Sequence, residues 1–523
     1  MGIGILGKKM GMTQIFDAEG QAVAVTVIAA GPCPVVAVRT PEQNGYSAVL
    51  LGFGAVKPHK LSKPVKGLFD KNKVEPKRTL REFRLDKAEG YEVERVMNIT
   101  DVGHLTSDAD EGEDKLEKGA RREGKTAWQI AKFYADDFIR GMNALHLTPP
   151  SQLARATDYI DEQIQLAITL KRKGHTYQTS DGIYFDTSTF PAYADFARLD
   201  LRALRAGARI GPNSEKRHAS DFALWKFSPD GVKRDMEWPT PPELLDQPPA
   251  DSAPVMGFPG WHLECSAIAM HFLGATLDIH TGGIDHIPVH HSNEIAQSEA
   301  ATGQPFAHYW LHCNHLKVNG TKISKSLGNG YTLTDLAERG YTPIEYKLFV
   351  LQSHYSHEGN FSWENLSAAR NRLRKWYEVA CLRHQTYESL DDDQRKSDEQ
   401  SGHVSLLAAS GAVREALAND LNTPEALRLI DEAFDQVLAR PLAAVYHRGL
   451  EELLAAIDQL LGLDLCESTP DITDEAKQLI LQRQRAREAR DWPTADRLRT
   501  ELATQHIAVR DTPQGPVWWW AEK

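Results

Sequence analysis

The chain has 523 residues, 41% of them hydrophobic and 25% charged, with a formal net charge of −12. No apolar run approaches the roughly 20 residues that a transmembrane helix needs, and the N-terminus MGIGILGKKMGMTQ lacks a signal peptide's layout, so no membrane partner is expected. Cys33, Cys265, Cys313, Cys381 and Cys466 lie far apart without paired spacing, so a reducing, cytoplasmic setting is expected and an important cysteine reads as a ligand rather than a disulfide partner.

The charge is unevenly spread. Residues 1–93 carry fourteen Lys/Arg against nine Asp/Glu, and the rest of the chain carries an excess of seventeen acidic residues. An acidic body does not exclude a nucleic-acid partner, because binding follows local patches. In residues 1–54 the runs AVAVTVIAAG, CPVVAVRT and YSAVLLGFG are Val-rich and bounded by Gly, Pro and Asn, which reads as short strands of a barrel or sandwich. The stretch VKPHKLSKPVKGLFDKNKVEPKRTLREFRL follows, with Lys57, Lys60, Lys63 and Lys66 three apart. It is expected to pack no core, and it suits either a phosphate backbone or a solvated loop.

From Arg95 the character changes. RVMNITDVGHL is strand-like, and TAWQIAKFYADDFIRGMNAL is an amphipathic helix with Ile130, Phe133, Phe138 and Met142 near helical spacing. SQLARATDYIDEQIQLAITLKRKG reads as a second helix ended by Gly174. HTYQTSDGIYFDTSTF reads as a hairpin around Ser180-Asp181-Gly182. DFALWKF and the Pro-rich WPTPPELLDQPPADSAPVMGFPGW are expected as extended linker. Beyond Asn329 the apolar spacing predicts antiparallel helices. Near the end, DEAKQLILQRQRAREARDWPTADRLRTELATQ predicts two helices broken at Asp491-Trp492-Pro493, and IAVRDTPQGPVWWW predicts a strand pair.

Chemistry concentrates in residues 260–329. His290 and Glu294 are four apart in a stretch that reads as a helix start, so both fall on one face, a turn apart. Imidazole and carboxylate so placed suit a borderline cation such as zinc, and Cys265 could add a thiolate. The same spacing also arises by chance. TKISKSLGN sets Lys322 and Lys325 around Ile-Ser, as a loop that neutralises a phosphate chain would, or as a plain surface turn.

Two resemblances organise these readings. GILGKKMGMTQIFDAEGQAVAVTVIAAGPCPVVAVRT, GYSAVLLGFG and LREFRL resemble the bacterial large-subunit ribosomal protein L-three family over about residues 1–93, implying an rRNA-binding β-barrel fragment. GWHLECS, the Asp278–Asp285 stretch, HHSNEIAQS, KISKSLGN, NITDV, DFALWK, NTPEAL, ARDWPTADRLR and DTPQGPVW resemble, in order, the class I cysteinyl-tRNA synthetases over about residues 95–523. The implied fold class is multi-domain α/β plus all-α. It comprises the barrel fragment, an incomplete class I nucleotide-binding fold with an inserted connective domain, and a helical C-terminal domain. The implied segments are 1–93 (ribosomal-like), 95–150 (early nucleotide-binding fold), 151–254 (connective insertion), 255–330 (second half, with zinc site and KMSKS-like loop), 331–400 (helical linker) and 401–523 (anticodon-side tRNA binding).

The synthetase resemblance implies an ATP-dependent cysteine–tRNA ligase of the cytoplasm, monomeric, with one zinc per chain and ATP as substrate. Cysteine and its tRNA(Cys) are the implied partners, with rRNA a further partner of the basic first segment. By that resemblance Cys265, His290 and Glu294 are metal ligands, and Thr100 and Trp261 line the amino-acid pocket. Lys322 and Lys325 are catalytic, and Ser324, Lys325 and Ser326 bind ATP. No His-x-Gly-His tetrapeptide occurs in the sequence, and the family's fourth zinc ligand, a cysteine, has no counterpart. Val102-Gly103-His104 and Ser401-Gly402-His403 lack the first histidine, and Cys33 belongs to the ribosomal-like pattern. Impaired activity is therefore expected. The alternative reading is a structural rRNA-binding protein of the large ribosomal subunit, or an inactive chimeric sequence.

Overall fold

The computed structural model describes residues 7–16, 22–30, 33–39, 48–58, 61, 63–71, 74–84, 93–103, 115–198, 215–229, 231, 234–247, 254–324, 327–385, 406–440, 442, 445–513 and 515–521. The chain divides into two units, Met1–Val93 and Glu94–Lys523.

In the first unit, β1 (Gly7–Phe16) and β2 (Ala22–Ala30) form an antiparallel pair, with a register shift between Lys9 and Gly11. A separate antiparallel sheet joins β3 (Val35–Arg39), β4 (Ala48–Ala55) and β5 (Lys77–Arg84) in that order. The expected strands are present, but among the described residues the two sheets do not close into a barrel. The basic stretch also departs from expectation. Lys63–Lys71 forms helix α1, whose Phe69 is 1% exposed and packs with Val36 and Leu50. The apolar pair Leu68-Phe69 gives the lysine-rich segment a face to bury, which charge spacing alone conceals.

The second unit opens with β6 (Val96–Ile99), α2 (Lys115–Glu123) and α3 (Ala127–Ala144). Thr126 starts α3 with a capping box, its hydroxyl accepting from Gln129 N–H while the Gln129 side chain accepts from Thr126 N–H. Ile130 and Met142 are buried as expected, whereas Phe133 and Phe138 are 51% and 47% exposed. β7 (Gln152–Arg155) runs parallel to β6, so SQLAR is strand rather than the first turn of a helix. Helix α4 follows at Ile160–Arg172.

The connective region is an antiparallel five-stranded sheet. It contains β8 (Thr176–Thr179), β9 (Gly182–Phe185), β10 (Phe222–Phe227), β11 (Trp238–Pro239) and β12 (Met256–Pro259), in the order β11-β12-β10-β9-β8. The predicted hairpin is present, turning at Ser180-Asp181 between β8 and β9. DFALWKF and the described parts of the Pro-rich run are not linker; residues 248–253 lie outside the described residues. Leu224 and Trp225 are fully buried in β10, and Trp225 Nε1 donates to Thr240 Oγ1 at 2.9 Å. Continuous burial on both faces explains the apolar run, and the prolines of β11 and β12 sit where a strand can spare an N–H.

Next come α5 (Trp261–Leu273), β13 (Leu277–Gly283), a single π-helical turn at Ile287–His291, α6 (Ser292–Thr302) and β14 (Ala307–Cys313). β13 and β14 pair in parallel. A small sheet then orders β15 (Leu316–Val318) between β16 (Thr321–Lys322) and β17 (Gly359–Phe361), with α7 (Leu333–Glu338) and α8 (Pro343–Leu351) preceding β17.

The C-terminal part is helical, as predicted. α9 (Trp363–Cys381), α10 (Leu406–Ala418), α11 (Thr423–Leu438) and α12 (His447–Leu461) share one core in which Trp376 meets Phe434 edge-on at 5.7 Å. α13 (Asp474–Glu488) and α14 (Trp492–Thr504) are the two expected helices. Asp491 caps the second by accepting from Thr494 N–H, with Pro493 in its first turn. β18 (Ile507–Thr512) and β19 (Gly515–Trp520) form the predicted pair. No helix among the described residues is long and apolar enough to cross a membrane.

Candidate active site

Three segments distant in sequence converge at the start of α5. The first is the end of β6. Asn98 Nδ2 donates to Cys265 Sγ at 3.2 Å, and the Thr100 hydroxyl donates to Glu264 Oε1 at 2.5 Å. The second is α5 itself, which must begin against β10. Gly260 N–H donates to Leu224 O, and a Cβ on Gly260 would stand 2.0 Å from Ala223 O. Only glycine allows that approach, and it sets Trp261, His262 and Cys265 on the first turns of the helix. The third is the π turn running into α6, which presents His290 and Glu294.

The ligand atoms of Cys265, His290 and Glu294 all lie within 4.8 Å of one another. Glu294 is 0% exposed and His290 is buried. His290 Nδ1 lies 2.9 Å from His262 Nδ1, and the Trp261 ring lies 4.8 Å from the His290 ring. Thr100, Trp261, Cys265, His290 and Glu294, all expected site residues, are thus gathered in one place. Lys322 and Ser324 stand on β16 and just after it. Lys322 is exposed on β16, and the loop after it is tied by Asn329, whose Oδ1 accepts from Ser324 N–H and whose Nδ2 donates to Lys322 O. Lys325 and Ser326 fall outside the described residues.

The electrostatics suit a cation. Burial pushes the Cys265 thiol well above its ordinary range, and the Glu294 and Glu264 carboxylates add to the rise. Burial also drives His290 down to about 3, outweighing the pull of Glu294, so the ring is neutral at pH 7 and has a lone pair to offer. Glu294 Oε1 is buried without a hydrogen-bond partner, and a buried carboxylate oxygen left so is costly. A thiol, an imidazole and this carboxylate are a donor set that zinc accepts. The residues fit the metal.

Sequence reasoning missed Asn98, His262, His280, His291 and His312. The run of histidines was visible, but their mutual contacts depend on the meeting of α5, β13, α6 and β14.

Comparison with known proteins bears on the whole arrangement. The family described as tRNA synthetases class I (C) catalytic domain matches residues 79–371, and the cysteinyl-tRNA ligase anticodon binding domain matches residues 469–518. The catalytic match thus begins sixteen residues before the Arg95 boundary expected from sequence. A cysteine–tRNA ligase of Burkholderia lata is 44% identical over 436 residues, 83% of this chain and 85% of the relative. Those of Chlorobium chlorochromatii and Treponema denticola are 38% and 35% identical, each over 82% of this chain and 87% and 88% of their own. Among solved structures, a Mycobacterium tuberculosis methionyl-tRNA synthetase bound by methionyl-adenylate matches with a TM-score of 0.48 and 14% identity, over 69% of this chain and 83% of that one. The chain belongs to the cysteine–tRNA ligases, a family of class I aminoacyl-tRNA synthetases.

Proposed function

We propose that this chain activates cysteine with ATP and transfers it to its tRNA, with the amino acid selected at the Cys265–His290–Glu294 cluster. The convergence of these three ligand atoms within 4.8 Å carries the reading. Cys265, His290 and Glu294 would hold one zinc ion. Bound there, zinc would supply a Lewis-acid centre that takes a thiol far better than a hydroxyl, separating cysteine from serine. His262 fixes the ring of His290, and Asn98 orients the sulfur. Trp261 walls the site beside His290, while Thr100, held by Glu264, lines it from β6. In activation, a carboxylate oxygen of cysteine attacks the α-phosphorus of ATP and pyrophosphate leaves. A ribose hydroxyl of the tRNA then displaces AMP. Lys322 and Lys325, with Ser324 and Ser326, are assigned to the phosphate chain, and residues 469–518 to the anticodon side.

Cysteine-dependent ATP–pyrophosphate exchange tests the reading. Exchange that cysteine supports, serine does not, and Cys265→Ala abolishes is the expected result. Equal exchange with serine, or none with cysteine, overturns it. We expect the exchange to be slower than that of a cysteine–tRNA ligase carrying His-x-Gly-His, because no such tetrapeptide stands in this sequence to hold the ATP phosphates. An equal rate overturns that part alone.

For Met1–Val93 we propose contact with RNA phosphates, supported by the basic excess and the exposed Lys57 and Lys66. Co-sedimentation with large ribosomal subunits should weaken steeply with salt; none at low salt removes the proposal. A single chain-mass species in sedimentation is expected of a monomer.

A further inference from the structure

Three imidazoles crowd one carboxylate oxygen in the second unit. Glu294 Oε2 lies 3.0 Å from His280 Nε2 and 3.8 Å from Nε2 of both His290 and His291. Of these rings only His290 belongs to the Cys265 cluster. His280, His291 and Glu294 make a second set whose ligand atoms again all lie within 4.8 Å of one another. We propose that this set is a second divalent-cation site, and that the Glu294 carboxylate bridges it to the thiol-bearing site.

The orientation of the rings supports this. His291 Nδ1 lies 2.8 Å from His312 Nε2, as His290 Nδ1 lies 2.9 Å from His262 Nδ1. Each ring is engaged at Nδ1 by a further imidazole and turns Nε2 toward Glu294. That is how an outer partner orients a metal-ligating histidine. Glu294 supplies a separate observation. It is fully buried, yet its Oε1 has no hydrogen-bond partner, so the carboxylate keeps a second oxygen beyond the Oε2 that the three imidazoles face. The backbone leaves space as well. A Cβ on Gly282 would stand 2.6 Å from His291 Nε2 and 2.9 Å from His286 Nδ1.

Two imidazole nitrogens and a carboxylate oxygen suit zinc, cobalt(II) or nickel(II) rather than magnesium or calcium. Three protein ligands leave a position open for water or an exogenous donor. Carboxylate-bridged cations about 3.5–4 Å apart are a known two-metal arrangement. The proposal depends on the ligase reading only for the sharing of Glu294. The competing arrangement is an ordinary hydrogen bond from His280 Nε2–H to Glu294 Oε2 with no ion.

Cobalt(II) titration of the metal-stripped full chain decides between them, read by absorption and by elemental analysis. We expect two equivalents in the wild type, of which one alone shows a sulfur-to-cobalt charge-transfer band. Cys265→Ala should lose that band and retain one equivalent bound through nitrogen and oxygen. Adding His280→Asn to Cys265→Ala should weaken the retained equivalent at least about 10-fold. Cobalt-free Cys265→Ala overturns the proposal, as does binding indifferent to His280→Asn. Circular dichroism checks that the variants fold. If one does not, the wild-type stoichiometry decides: a second equivalent without the charge-transfer band supports the site, and a single equivalent overturns it. These readouts involve no ATP or tRNA, so failure of the ligase reading would leave them standing.

Discussion

Asn98 and Cys265, 167 residues apart, meet through a hydrogen bond of 3.2 Å from the side-chain amide to the sulfur. Through it the end of β6 reaches the proposed metal-ligand cluster on α5. Outer partners of this kind typically contribute 10–100-fold to metal affinity. Asn98→Leu should therefore weaken zinc binding by about that factor while leaving the circular dichroism spectrum unchanged. Competition against a chromophoric chelator measures it, and unaltered affinity would show the contact to be incidental.

Gly282→Ala tests the histidine cluster by crowding it. The added methyl would lie 2.5 Å from His291 Cε1 and 2.6 Å from Nε2, and the ring is held on its other side by His312. Overpacking of this kind costs about 1–3 kcal/mol. A lower urea midpoint together with reduced cobalt uptake is expected; wild-type values for both would mean that the ring simply swings aside.

Much of this site is legible in the sequence. Cysteine, histidine and glutamate stand out as ligand types, and the spacing from His290 to Glu294 survives folding because helix geometry is local. Strand pairs such as Ile507–Thr512 with Gly515–Trp520 were legible for the same reason: their alternation and turn residues are adjacent in sequence. What escaped was set by long-range meeting. Nothing near Asn98 announces Cys265, and nothing near His280 announces Glu294. Phe133 and Phe138 were misplaced because apolar spacing marks a face without naming what covers it. QLAR was read as helix because four residues carry too little periodicity to oppose the helix that follows, and a parallel partner at Val96–Ile99 decides its state.

The helical core offers a plain stability test. Phe434 is fully buried and meets Trp376 edge-on, and the Trp376 indole donates to Asp431 Oδ1 at 2.7 Å. Truncation should leave a cavity that these neighbours cannot fill. Phe434→Ala is expected to cost about 3–5 kcal/mol, while Phe434→Leu should cost much less. Thermal melts of the full chain would show both, and a Phe434→Ala chain as stable as the wild type would mean that α9 and α11 are not packed as described.

Acid should loosen the C-terminal end through Asp511. Its carboxylate accepts from Arg483 at 2.7 and 2.9 Å, and this pairing, with the nearby charge of Arg487, holds its pKa below the usual carboxylate range despite some burial. A folded-state pKa below the unfolded value of about 3.9 stabilises the fold above that value, and the contribution is lost as pH falls toward the folded one. Asp511→Asn should therefore be less stable than wild type at pH 7, with the difference shrinking below about pH 4. Denaturation midpoints taken from pH 7 down to pH 3 test this, and a gap that widens on acidification contradicts it.

The π turn at Ile287–His291 carries a wider consequence. Each residue of a helix turns the following side chains by about 100°, so the extra residue accommodated in that wide turn sets the direction in which Glu294 points. Removing or adding one residue between His280 and Glu294 would swing the carboxylate away from both sets of candidate ligands, although every one of those residues stayed in the sequence. The number of residues between His280 and Glu294 therefore matters to this cluster as much as the residue types it contains.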